Sequence, residues 1–330
     1  MIAEIGHNHQ GSMEKCLEMI EAAARCGVDA VKLQKRHISS FYVRSFLSRP
    51  YESVNSYGHT YGEHRRNLEL SDEQFLYAKN FAEKQGLTFL CTAFDQSTAD
   101  FLAEIDIAAF KIASADIVNT PLLKHIAKKG KPILLSTGGA TLDDVKRAYE
   151  LTRSYKCDTA LLQCTAEYPT KINNLNLNVI RMLGSIFQDS VIGLSSHHDG
   201  IDMELVAFGL GARIVEKHFT LDRTLKGTDQ AFSLLPNQLA SLVCNLRNAH
   251  LALGNEEKVP LPSENEALFK EGKKLVAARP ISRGTKLVLD DIAVKAPNDG
   301  LSPYLLESIV GRTTLEDMDV DQPFSWIILL

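Results

Sequence analysis

The sequence predicts an α/β fold, a (β/α)8 barrel, followed by a small β-rich domain. Three observations point there. Eight short apolar runs alternate with longer amphipathic segments up to Leu253. Neighbouring runs are 20 to 30 residues apart over most of this stretch, enough for a strand and a crossover helix. After Leu253 the composition changes, and from Leu275 short β-like runs replace the long helical ones. A doubly wound sheet shares the run spacing and is the competing reading.

The first run is Ile2 to Ile5, followed by a helix from Ser12 to Cys26. The second is Ala30 to Leu33, followed by a long polar segment, 35–70. Ser71 with acids behind it opens a helix in the manner of an N-cap. Leu87 to Thr92 and Ala108 to Ile112 are the third and fourth runs. Pro132 to Ser136 is the fifth, and TLDD at 141–144 caps the helix after it. Ala160 to Cys164, Val191 to Leu194, and Arg213 to Val215 extending into EKH complete the eight. A helix from Pro236 to Leu253 closes the series. The predicted division is a barrel over 1–253, a polar, proline-containing linker over 254–273, and a small domain over 274–330.

At 330 residues and 45% hydrophobic, the chain can bury a large core. The net charge of −5, with both signs interspersed, gives no basic stripe or aromatic platform for nucleic acid. No apolar run is long enough to span a bilayer, and MIAEIGHNHQG lacks the pattern of a signal peptide. Cys16, Cys26, Cys91, Cys157, Cys164 and Cys244 form no CxxC pair and read as reduced thiols. A cytoplasmic location is expected.

In a barrel of this kind, chemistry gathers at the carboxyl ends of the strands. Those ends carry Glu4, Lys32 and Gln34, Thr92, Lys111 with Ser114 and Asp116, Ser136 and Thr137, Glu167 and Tyr168, His197 and His198, and Glu216 with His218. Lysines inside apolar strands are costly unless paired, so Lys32 and Lys111 aimed at one mouth imply an anionic ligand. Ser114, Ser136, Thr137 and the Gly138–Gly139 amides supply neutral donors for phosphate. His197 and His218 end neighbouring runs and suit a divalent ion such as manganese, magnesium, cobalt or zinc. Nothing argues for tightly held zinc, and adjacency leaves open whether His197 or His198 points inward.

These residues carry a family resemblance. AEIGHNHQG at 3–11, AVKLQK at 30–35, FKIASAD at 110–116, ILLSTGG at 133–139, LLQCTAEYPT at 161–170, IGLSSHH at 192–198 and EKHFTLDRTLKGTD at 216–229 occur in the order seen in sialic acid synthases. Those enzymes condense phosphoenolpyruvate with an N-acetylated hexosamine. The tail from 275 resembles the family's small antifreeze-like (SAF) domain. The loop at 49–71 is similar to that of the animal-type branch, whose members prefer a 6-phosphorylated acceptor and make a 9-phosphate product.

The resemblance implies roles. Glu4 would stabilise positive character at the reacting carbons, with Asp116 and Lys111 close to the chemistry. Lys32, Lys111, Thr92, Ser114, Ser136 and Thr137 would hold phosphoenolpyruvate, with Tyr168 lining the pocket. Asp229 would bind acceptor hydroxyls, and His64 and Arg65 would meet an acceptor phosphate, unless Arg65 and Arg66 are solvated loop charges. His197 and His218 would hold the divalent metal, manganese first and magnesium or cobalt next. A domain-swapped homodimer is implied, with the small domain over the partner's barrel.

The sequence also departs from the family pattern. Ala296 stands where many bacterial members have arginine, Gln230 replaces a histidine after GTD, Ser196 stands in GLSSH, and Gly139 follows STG. The family usually carries a further segment ahead of the first strand. The expected function is metal-dependent condensation of phosphoenolpyruvate with N-acetylmannosamine or its 6-phosphate. The alternatives are the same chemistry on another sugar aldehyde, or a non-catalytic sugar-phosphate binding protein.

Overall fold

A computed structural model describes residues 1–330. Strands β1 (Ile2–Gly6), β2 (Ala30–Lys35), β3 (Thr88–Ala93), β4 (Phe110–Ile112), β5 (Ile133–Ser136), β6 (Thr159–Cys164), β7 (Ile192–Ser196) and β8 (Ile214–His218) pair in parallel, each with the next in sequence. β8 pairs back to β1, which closes the barrel and excludes the doubly wound sheet. The predicted runs fall on these strands within two residues at nearly every end. The helices after β1, β3, β5 and β8 begin at side-chain caps or a proline, which satisfy or dispense with the first free N–H groups.

Strand parity decides what the barrel interior contains, because alternate side chains face in and out. One layer of inward residues is apolar: Ile2, Ala30, Leu90, Leu134 and Leu162, with Ile214 packed against them. Two residues further along the same strands stand Glu4, Lys32, Thr92, Ser136, Cys164 and Glu216. The barrel is therefore plugged by hydrocarbon below a polar layer. The opposite parity, including Ile5, Val31, Phe89, Phe110 and Leu135, packs under the helices in the main core. Gly193 on β7 leaves room for this layer: a Cβ there would lie 2.3 Å from Leu162 Cδ2 and 2.6 Å from Ile214 O.

The polar segment 35–70 is not plain loop. It forms helices Ile38–Phe41, Arg44–Leu47 and Tyr61–Leu68. The last has a reciprocal capping box between Thr60 and Glu63, a pattern readable in TYGE. Aromatic rings hold the segment together: Tyr42 packs on Phe46 at 5.7 Å and edge-on to Tyr61 at 5.2 Å. Gly11, at φ +76°, lets the loop after β1 touch the last helix; a Cβ there would sit 2.0 Å from Asn67 O.

Residues Asn255–Leu330 form a second compact unit. Its strands β9 (Lys274–Ala277) and β10 (Ile292–Lys295) are antiparallel, over a core that includes Leu275, Ile281, Leu287, Met318 and Phe324. A short exposed helix, Asn265–Glu271, precedes β9. No helix is long and apolar enough to cross a membrane.

Candidate active site

The polar layer opens into a cavity of about 750 Å³ at the carboxyl ends of the strands. Its lining includes Glu4, Lys32, Thr92, Lys111, Ser114, Ser136, Tyr168, His197, His218, Asp229, His64 and Arg65. Two expected residues are not in it. Thr137 follows the inward Ser136, so parity turns it outward; its hydroxyl donates to Leu162 O at 3.1 Å, and it lines a neighbouring cavity with Gly139. Asp116 sits in the 3-10 turn Ser114–Asp116 after β4, accepting from Asn119 Nδ2 at 2.9 Å. Its other carboxylate oxygen is buried without a partner, and burial pushes its pKa up.

Four buried charges form the floor. Lys32 Nζ lies 2.7 Å from Glu4 Oε2 and donates to Thr92 Oγ1 at 3.0 Å. Lys111 Nζ donates to Ser136 Oγ at 2.6 Å and to Ile112 O at 3.2 Å. Glu216 stands between the lysines, 3.6 Å from Lys32 and 3.8 Å from Lys111, and accepts from Ser195 Oγ at 3.0 Å. Burial opposes ionisation of Glu216, but the lysines outweigh it and hold its pKa down at about 2. Burial also opposes the charge on Lys32; Glu216 and Glu4 reverse that and raise its pKa. Lys111 has no carboxylate as close, and burial leaves its pKa lowered. Two ammonium groups and two carboxylates balance, so an added anion would draw on preorganised donors rather than on free charge.

Glu4 is oriented from both sides, since Gln34 Nε2 donates to its other oxygen at 2.6 Å. Ser114 Oγ accepts from the Gly138 amide at 3.0 Å, which ties the turn after β4 to the loop after β5.

His197 and His218 are brought together, with ring centroids 5.4 Å apart. His197 Nδ1 lies 3.0 Å from Thr165 O. A carbonyl only accepts, so Nδ1 carries the proton and Nε2 keeps its lone pair. Burial, then the neighbouring His218, lowers the His197 pKa to about 3, so the ring is neutral. His218 Nδ1 is buried without a hydrogen-bond partner and 3.9 Å from Asp229 Oδ2. His198 does not line the cavity, which answers which of the adjacent histidines turns inward. No cluster of three or more His, Cys, Asp or Glu side chains could hold a metal unaided. A neutral lone-pair donor beside an unsatisfied imidazole nitrogen fits a divalent ion whose remaining ligands are substrate and water.

The segment after β2 contributes a second cationic group. Arg65 Nε donates to Tyr42 Oη at 3.2 Å and Tyr61 Oη at 3.1 Å. Arg36, not singled out from sequence, lies over the Phe94 ring at 3.7 Å and donates to Gln34 Oε1 at 2.8 Å. Its Nε is buried without a partner. Burial and then the Arg65 charge hold its pKa down. Glu69 is its carboxylate neighbour, at 3.8 Å. His7 and His64 add no charge, because burial lowers both. His64 accepts the Tyr57 amide at Nδ1 and lines the cavity; His59 and Arg66 do not.

Gln230 is a strut rather than a lining residue. Its Nε2 donates to Asn8 O at 3.0 Å and its Oε1 accepts from Thr220. Asn8 in turn donates to Phe219 O and Ser233 Oγ, both at 2.9 Å. Ser196 and Gly139 also lie outside the cavity lining, and Ala296 belongs to the second unit. Within the barrel, none of the three departing residues, Gly139, Ser196 and Gln230, lines the cavity.

The NeuB family profile matches residues 19–258, and a SAF domain profile matches residues 274–326. The chain belongs to the NeuB family. It is 39% identical over 322 residues to human N-acetylneuraminate-9-phosphate synthase, covering 97% of this chain and 90% of the relative. It is 31% identical to N,N'-diacetyllegionaminic acid synthase of Legionella pneumophila, over 99% of this chain and 93% of that protein. The crystal structure of N-acetylneuraminic acid synthetase from Leptospira borgpetersenii, in complex with citrate, superposes with a TM-score of 0.71 at 33% identity, over 81% of this chain and 89% of that one.

Proposed function

We propose that this protein condenses phosphoenolpyruvate with the open-chain aldehyde of an N-acylated amino sugar, releasing phosphate and forming a 2-keto sugar acid. The observation that carries the reading is the buried set Lys32, Lys111, Thr92, Ser114 and Ser136 beside Glu4 and the His197–His218 pair, all in one cavity. Membership in the NeuB family supports it, as do relatives named for neuraminate and legionaminate synthesis. The cavity volume, about 750 Å³, suits two small polar substrates together.

Lys32, Lys111 and the three hydroxyls bind the carboxylate and phosphate of phosphoenolpyruvate and fix its orientation. Carbon 3 attacks the aldehyde carbon, forming the new C–C bond while the aldehyde oxygen takes up a proton. Glu4, oriented by Gln34 and Lys32, faces the positive character that develops at carbon 2. A water adds there and gives up its proton. Cleavage of the C2–O bond then expels phosphate and leaves the ketone. His197 and His218 would hold a divalent ion, manganese first and magnesium or cobalt next, which when bound polarises the acceptor carbonyl. Tyr168, whose ring lies 4.1 Å from that of His197, walls this side of the cavity, and Asp229 accepts from acceptor hydroxyls.

The finer reading is a phosphorylated acceptor, N-acetylmannosamine 6-phosphate, giving the 9-phosphate product. Arg36 and Arg65 are two guanidinium groups near one carboxylate, and the unpartnered Arg36 Nε is a donor for an anion. The second reading, the same chemistry on an unphosphorylated sugar, is favoured by the similarity to the legionaminic acid synthase. A homodimer belongs to the same proposal, and its mass in solution tests it. The proposed activity is tested by phosphate release from phosphoenolpyruvate with each sugar; binding of phosphoenolpyruvate without release would leave a non-catalytic binding protein.

A further inference from the structure

β8 carries an ionised residue that faces away from the cavity. Glu216 and His218 point inward, so Lys217 between them points out, toward the helix Asp202–Gly209. There its side chain is 1% exposed and lies 3.1 Å from Glu204 Oε1, itself fully buried. Apart from this ion pair, neither Glu204 oxygen has a hydrogen-bond partner. A buried ion pair is seldom a net source of stability, since apolar residues of similar volume often serve as well. Nothing in the proposed chemistry uses this one.

What the pair touches gives it a purpose. Lys217 Nζ also donates to the backbone carbonyl of His198. His198 directly follows His197 in the loop leaving β7. The ammonium thus ties the backbone next to one inward imidazole to the strand that bears the other. The turn is also held by the Thr170 amide donating to His197 O at 3.1 Å, the His198 amide on Ser196 Oγ at 3.4 Å, His197 Nδ1 on Thr165 O at 3.0 Å and Arg223 on Asp199 at 3.0 Å. The register of β7 and β8 pairs Ser196 with Lys217, so the clamp sits at the last rung before the loop.

We infer that Lys217, charge-balanced by Glu204, is a positioning residue that sets the separation of His197 and His218 by clamping the His198 carbonyl to β8. The inference rests on the reading of the two imidazoles as metal ligands. An ammonium reaches the carbonyl from under the helix, where a methylene chain of the same length fills the space but cannot hold the turn. The carboxylate of Glu204 lies 3.1 Å from that ammonium and balances its charge under the helix.

The test pairs an apolar replacement of both charges, Lys217→Met with Glu204→Leu, against the parent. Removing both avoids stranding one buried charge, so the melting temperature is expected to stay close to that of the parent. Manganese chloride titrated into each full-length protein, with free Mn2+ read by electron paramagnetic resonance, is expected to show affinity lower by about 10- to 100-fold, the range for lost outer-shell support. Hydrogen exchange of the segment 193–200 is expected to quicken in the same variant. If the apolar pair does not fold, Lys217→Gln with Glu204→Gln removes both charges with little change of volume, and the same two losses are expected. A folded variant with parental Mn2+ affinity overturns the inference. A parent that binds no Mn2+ overturns the metal reading instead; the exchange rate then decides the clamp, and unchanged exchange at 193–200 overturns it.

Discussion

Glu4 and Lys32 are register partners on β1 and β2, and their side chains meet at 2.7 Å, both almost completely buried. Gln34 holds the other Glu4 oxygen, so this carboxylate is fixed before any substrate arrives. Glu4→Gln keeps the size but removes the charge and turns one of the two acceptor oxygens into an N–H donor. It is expected to lower kcat for phosphate release by about 100-fold, the scale of losing one preorganised electrostatic group, with KM for phosphoenolpyruvate little changed. Steady-state kinetics beside a thermal melt separate this from misfolding. Normal turnover would remove Glu4 from the chemistry.

Arg65→Ala should discriminate between acceptors. The guanidinium is supported by two tyrosine hydroxyls and lines the cavity with Arg36. Its loss is expected to raise KM for a 6-phosphorylated acceptor by about 10- to 100-fold, as a charge-assisted contact is removed, while the unphosphorylated sugar is little affected. Equal effects on both sugars would make Arg65 a support for the aromatic cluster alone.

Gln230 is expected to matter for stability and not for acceptor choice. Gln230→Ala strands Asn8 O, and a buried group left unpaired costs about 1–3 kcal/mol, while the Thr220 hydroxyl keeps Asp222 O as an acceptor at 3.2 Å. Urea unfolding measures that loss. The ratio of kcat/KM between acceptors should stay as it is in the parent, and a change in that ratio would place Gln230 in substrate recognition.

Three buried histidines outside the metal pair make stability depend on pH. Burial lowers His9 to about 3 and His64 to about 4, and His7 well below its ordinary value. Unfolded, each would titrate near 6.5. Between those values the unfolded chain binds more protons than the folded one, so these groups cost stability as pH falls below 6.5. Each contributes a slope of about 1.4 kcal/mol per pH unit where it is charged only in the unfolded state. Urea unfolding at pH 7.5 and pH 5.5 is expected to show lower stability at the acid value, and His64→Gln to reduce the difference. A difference unchanged by that substitution would remove His64 from the linkage.

The barrel was legible because its strands are short apolar runs bounded by turns, and their polar ends fall at one parity. Ile2 and Glu4, Leu90 and Thr92, or Leu134 and Ser136 are two residues apart, so an apolar plug below a polar layer follows from alternation. Thr137 shows the same rule read too loosely, as a residue next to an inward one must point out. Glu216 was visible at a strand end, but its place between Lys32 and Lys111 depends on closure of the barrel, which brings β2, β4 and β8 around one centre. Arg36 lies one residue beyond β2 in a polar stretch without periodicity. Its role comes from Phe94 and Arg65, which only the tertiary fold places beside it. The helix Tyr61–Leu68 was missed although Thr60 and Glu63 have capping-box spacing. His197 and His198 could not be told apart because β7 ends at Ser196, and beyond it alternation no longer fixes which side chain turns inward.

The central claim is condensation at one cavity holding the lysine pair and the histidine pair. The most direct measurement is inorganic phosphate released from phosphoenolpyruvate with manganese present, in parallel reactions with N-acetylmannosamine 6-phosphate, with N-acetylmannosamine and with a chelator. Release with the phosphorylated sugar, lost on chelation and absent without acceptor, is the predicted result. No acceptor-dependent release with either sugar, from a folded protein that binds phosphoenolpyruvate, would contradict it.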